Sequence, residues 1–99
     1  MGAAVKYNPD EAYTISDQVA HREIEGQILI LRPGDNHLYT LNGSGKHIWL
    51  EIKKKKTLSQ MIKSLTRKFG ISEEDAAKDV LGFISDMTGK DILVKKGRK

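Results

Sequence analysis

Three histidines, thirteen carboxylates and a single tryptophan are the side chains of this 99-residue sequence with most to offer chemically. His21, His37 and His47 fall in different segments and show neither H-x3-H nor HExxH spacing, so a shared metal site would need a coincidence of folding. Glu73, Glu74 and Asp75 sit together where a helix begins, and there acids answer the positive end of the helix dipole rather than act as acid and base. Gly43-Ser44-Gly45-Lys46 looks superficially like a phosphate loop but lacks the G-x-x-x-x-G-K-[ST] spacing and the βαβ setting. It reads instead as a strand-to-helix connection. With no cysteine, thiolate nucleophiles, disulfides and Cys-ligated zinc or iron–sulfur centres are excluded. No enzymatic constellation emerges, no cofactor is implied, and binding is the better prospect.

The elements that would build a binding surface follow from hydrophobic patterning. Residues 1–16 show neither strand nor helix period and read as an arm whose order depends on what it docks against, expected to be mobile. Val19 to Ile24 is a weak strand; Glu25-Gly26 turns the chain; Gln27 to Arg32 follows, apolar at Ile28, Leu29, Ile30 and Leu31. Such a run predicts a strand covered on both faces. Pro33-Gly34-Asp35-Asn36 reverses the chain again, and His37 to Leu41 returns as the third strand of a meander. That strand carries little charge and neither Pro nor Gly, so it lacks the usual devices that discourage another chain from pairing with it. The alternative is that another part of the chain covers its edge.

After Asn42 the period becomes helical. Ile48, Trp49 and Ile52 define a short helix with Trp49 in the core, and the repulsion of Lys53 to Lys56 ends it. Thr57-Leu58-Ser59-Gln60 is a capping box, after which Leu58, Met61, Ile62, Leu65 and Phe69 form an apolar stripe ending at Gly70. Ser72 opens a third helix with the stripe Ala76, Ala77, Val80, Leu81, Ile84 and Met87, Phe83 beside it, and Gly89 at its end. Ile92-Leu93-Val94 predicts a short strand or apolar plug. The expected class is α+β, with three antiparallel strands followed by three helices.

Net charge is +4, but it is unevenly spread. Lys53 to Lys56 and Lys95, Lys96, Arg98 and Lys99 hold eight of the 17 cations, leaving nine against 13 acids elsewhere, a body of net −4. The third helix holds Glu73, Glu74, Asp75, Asp79 and Asp86 against Lys78, which opposes major-groove contact and makes nucleic acid a poor partner. No run approaches the roughly 20 apolar residues of a membrane span. The N-terminus does not read as a secretory signal, so the expected location is the cytoplasm.

Leu41-Asn42-Gly43-Ser44-Gly45 with Ile48-Trp49, the helix from Thr57 to Phe69, and Ser72-Glu73-Glu74-Asp75 leading to Val80, Phe83 and Ile84 resemble PqqD-like proteins, over about residues 17–94. These are peptide-recognition elements of pathways that make ribosomally synthesised, modified peptides. The resemblance implies a winged helix-turn-helix-like domain without catalysis, in which a precursor's leader adds as an antiparallel strand to the third strand, with the third helix as the far wall. Carried over by residue, it places His37, Leu38, Tyr39, Thr40 and Leu41 on the strand side, and Lys78, Val80, Leu81, Ile84 and Ser85 on the helix side. Implied partners are the leader peptide and a modifying enzyme, such as a radical SAM protein of a pyrroloquinoline-quinone-type pathway or a lasso-peptide leader protease. The domain would be a monomer or a homodimer. Residues 1–16 would lie outside it as a flexible arm and residues 95–99 as a basic tail. A winged-helix DNA-binding regulator is the alternative.

Overall fold

A computed structural model describes residues 6–32, 34 and 37–96. The elements run β1 (Tyr13–Ile15), β2 (Ala20–Ile24), β3 (Gln27–Arg32), β4 (His37–Leu41), α1 (Gly43–Lys53), α2 (Leu58–Phe69), α3 (Glu73–Gly89) and β5 (Leu93–Lys95). The fold is α+β: an antiparallel sheet in the order β2-β3-β4, three helices, and a separate two-stranded ribbon of β1 and β5. The expected third strand is therefore β4. Most of the reversal at residues 33–36 lies outside the described residues.

The sheet's register comes from its turns. Glu25 and Gly26 both have positive φ, 51° and 80°, as a two-residue type I′ turn requires, and Ile24 pairs with Gln27 across it. In such a hairpin the closing pair exchanges hydrogen bonds, and alternation along the ladder then assigns every backbone group. Gln27, Leu29 and Leu31 bond to β2, so Ile28, Ile30 and Arg32 bond to Leu41, Tyr39 and His37 of β4.

Ile28 and Ile30 drop from the inner face into a core shared with Ile48, Trp49 and Ile52 of α1, the stripe of α2 and Val80 of α3. Trp49 is fully buried and meets His21 edge-on, ring centroids 5.3 Å apart. Among the described residues no element covers the outer face of the sheet. Leu31 is 47% and Leu38 57% exposed, so the expectation that β3 is covered on both sides is corrected: a run of four apolar residues fixes a strand but does not supply a second layer.

The helix signals hold. Thr57 and Gln60 make both hydrogen bonds of the capping box, Gly70 closes α2 in the left-handed conformation at φ 64°, and the Ser72 hydroxyl accepts from the Asp75 N–H. Phe69 is the exception in its stripe, 40% exposed and edge-on to His47.

The arm and the tail need correction where they are described. Tyr13, Thr14 and Ile15 pair with Lys95, Val94 and Leu93, and the Lys96 N–H reaches the Ala12 carbonyl at 2.9 Å. Pro9 and Glu11 carbonyls accept from the Ser59 and Leu58 N–H groups at 3.1 and 2.8 Å, satisfying donors that the first turn of α2 leaves open. Residues 9–16 and Lys95–Lys96 are hydrogen-bonded into the body because unpaired helix and strand ends recruit them. Residues 1–5 and 97–99 lie outside the described residues.

Candidate functional site

Among the described residues no further strand pairs with either edge of the sheet, and the chemistry of the two edges differs. On β2 the outward backbone groups belong to His21 and Glu23, with Arg22 between them, so charge guards that edge. On β4, Tyr39 and Leu41 spend their backbone groups on β3. Leu38 and Thr40 therefore turn N–H and C=O outward. Those four groups are spaced for an antiparallel strand, and no charged side chain lies between them.

The side chains of β4 divide the other way. Tyr39 and Leu41 point to the inner face with His37, whose ring lies 4.5 Å from that of Tyr39, whereas Leu38 and Thr40 point to the outer face. Beside the inner face runs α3. Leu41 Cδ2 and Phe83 Cε1 lie 3.6 and 3.7 Å from the point that a Cβ on Gly45 would occupy, so this glycine seats the start of α1 between strand and helix. At the other end of β4, Lys90 Nζ stands 5.8 Å over the Tyr39 ring and 2.7 Å from Asp86 Oδ1, while Arg32 donates to the Lys90 carbonyl at 2.7 Å. Phe83, Asp86 and Lys90 follow one another at i, i+3 and i+7 and share one flank of α3 with Asp79. That flank of α3 therefore stands beside β4.

This placement sorts the residues singled out from the sequence. His37, Leu38, Tyr39, Thr40 and Leu41 lie together on β4, alternating between faces. Val80 and Ile84 are buried in the core, 0% and 4% exposed, and present no surface to a ligand. Lys78, Leu81 and Ser85 lie at i, i+3 and i+7 on the opposite flank of α3, where Lys78 reaches Glu74 at 3.8 Å. The α3 residues beside β4 are instead Phe83, Asp86 and Lys90, a placement that periodicity alone cannot supply, since it finds the buried stripe but not which of its two flanks borders the sheet.

The remaining chemistry is structural. His47 Nε2 is 2.8 Å from Ser64 Oγ, and His21 packs on Trp49. Partial desolvation where the ring packs on Trp49, and secondarily the charge of Lys53, hold the pKa of this largely exposed His21 below its ordinary value. Among the described residues no cluster of three or more His, Cys, Asp or Glu is arranged to hold a metal ion. None of their helices is long and apolar enough to cross a membrane.

Comparison with solved structures shows the same fold elsewhere. The chain is similar in fold to TbiB1, solved in complex with the TbiA(β) leader peptide, with a TM-score of 0.77 and 18% identity over 86% of this chain and 99% of that one. It is also similar to a lasso peptide synthetase B1 complexed with the leader peptide, with a TM-score of 0.76 and 11% identity over 83% of this chain and 96% of the other. No curated protein sequence matches it. The sequence model of Coenzyme PQQ synthesis protein D matches residues 27–93, from the start of β3 to the start of β5; the chain belongs to the PqqD family.

Proposed function

We propose that this protein is a non-enzymatic adaptor that captures the leader of a ribosomally made precursor peptide by strand addition at β4 and presents it to a modifying enzyme. The observation that carries this reading is the open, uncharged edge of β4, with the backbone groups of Leu38 and Thr40 turned outward beside the Phe83 flank of α3. Main-chain hydrogen bonds supply affinity with little demand on sequence, and alternate peptide side chains facing Tyr39, Leu41 and Phe83 supply selectivity. The leader complexes of the two similar structures support a peptide as the ligand.

An adaptor of this kind needs no chemistry of its own. Tethering a leader converts the meeting of core peptide and enzyme into a nearly intramolecular event, with an effective concentration of about millimolar. The enzyme it serves is a radical SAM protein or a leader protease, working in the cytoplasm. The acidic flank of α3 disfavours duplex DNA in the same place.

Calorimetric titration with synthetic leaders, alongside their core peptides, tests the reading. A leader that binds with micromolar or tighter affinity while its core does not supports capture. Equal binding of both, or of neither across leaders of the radical SAM and lasso classes, contradicts it.

A further inference from the structure

The two lysine-rich segments, some forty positions apart in the sequence, meet in the fold. The Ala12–Thr57 bridge and the hydrogen bond from the Lys96 N–H to the Ala12 carbonyl hold the end of β5 beside the start of α2. Between them opens a cleft of about 740 Å³ whose walls include Lys55, Thr57, Lys95 and Lys96, with Asp10 and Glu11 on the arm side. Glu11 is already engaged, 2.7 Å from Lys95 Nζ and accepting from the Tyr13 hydroxyl. Lys54 is 3.9 Å from the buried Glu51. No carboxylate of the described residues pairs with Lys55, Lys56 or Lys96.

Lys55 is unusual in its backbone. At φ 65° it occupies the left-handed position that ends α1, with its N–H bonded to the Ile52 carbonyl and the Lys56 N–H to that of Glu51. This is a Schellman cap, in which glycine is the residue free of steric cost. A non-glycine residue there costs roughly 1 to 2 kcal/mol in backbone conformation, offset in part by the favourable meeting of a cation with the negative end of the helix dipole.

Resting on the adaptor reading above, we propose that this cleft docks an acidic segment of the modifying enzyme, giving the adaptor a second surface separate from its leader groove. Separation follows from α1: its start lies against Leu41 and Phe83, and its 11 residues carry the chain about 16 Å to the lysine loop. Leader and enzyme can then be held together without competing. With Lys95 taken by Glu11, Lys55 and Lys96 remain against Asp10, an excess of positive charge that suits carboxylate side chains on a protein surface. A nucleic-acid backbone asks for a continuous basic track, and here Asp10 interrupts it.

Amide-resolved NMR of the full chain tests this, with a twelve-residue Glu/Asp-rich peptide as probe and its Gln/Asn counterpart as control. The acidic probe should shift amides within 8–12, 54–58 and 95–96, and the neutral one should not. The double variant Lys55→Glu/Lys96→Glu should weaken the probe at least tenfold, with an unchanged melting temperature and an unchanged titration by a leader peptide. Shifts elsewhere, or affinity indifferent to the double reversal, overturn the proposal, as does a short DNA duplex that binds the same residues more tightly. If the probe maps to the cleft but no leader binds β4, the capture reading fails and the acidic docking site stands. If a leader binds β4 but the probe ignores the charge reversal, the docking site fails and capture stands.

Discussion

Lys95 Nζ lies 2.7 Å from Glu11 Oε2 and closes the ring in which β5, the segment before β1 and the start of α2 hold one another. The segment before β1 is therefore part of the fold. Removing residues 1–12 takes away the Glu11 carboxylate and the carbonyl partners of Leu58 and Ser59. Thermal melts should show a loss of about 1 to 3 kcal/mol. In a domain of this size each kcal/mol lowers Tm by roughly 4 to 8 °C. A truncated chain that melts with the parent would return these residues to the status of a loose arm.

Acid should destabilise the protein in two stages. His21 is held below its ordinary pKa of 6.5, first by partial desolvation against Trp49 and then by Lys53, so the folded state favours neutral imidazole. Stability from that preference is present above pH 6.5, declines as pH falls below it, and is gone once the folded-state value is passed. Glu11 follows: its hydrogen bond to Lys95 lowers its pKa from 4.5, so its contribution survives to lower pH and is lost as pH falls through the depressed value. Melting curves between about pH 7.5 and pH 3 should show His21→Gln flattening the first decline and Glu11→Gln the second. Parallel pH profiles for all three proteins would contradict the assignment.

The two flanks of α3 should separate by function. Phe83→Ala removes the ring that faces Leu41 across Gly45, and should weaken leader binding about tenfold, equivalent to about 1.4 kcal/mol. Lys78→Ala and Ser85→Ala lie on the other flank and should leave affinity within about twofold. Titration calorimetry on the folded variants reads the difference, and the reverse ranking would place the groove on the wrong side of the helix.

Much of the fold is legible because its signals are local. The Thr57 capping box, the Gly70 and Ser72 helix boundaries, and the alternation from His37 to Leu41 each depend on neighbours within a few residues. What escapes is decided at a distance. Tyr13–Ile15 becomes a strand only through a partner about eighty residues later. Leu29 and Leu31 read as buried because an apolar run cannot report that no second layer lies above it. Val80 and Ile84 stand out in the sequence because they belong to the strongest part of the α3 stripe, and for that reason they are consumed by the core. Phe83, at the margin of the stripe, is the aromatic left beside β4, and a large aromatic beside a completed apolar face is the signal that could have found it.

The most direct test of strand addition uses two adjacent residues of β4 whose N–H groups point to opposite edges. The Thr40 N–H faces outward and the Tyr39 N–H is bonded to β3. Proline removes the donor at either position. Thr40→Pro should bind a leader peptide at least tenfold more weakly with a modest loss of Tm, whereas Tyr39→Pro should mainly lower Tm. Calorimetric titration of Thr40→Pro, with its melt recorded alongside, is the deciding measurement: weakened binding by a folded variant is the expected result, and binding as tight as that of the parent would contradict strand addition at β4.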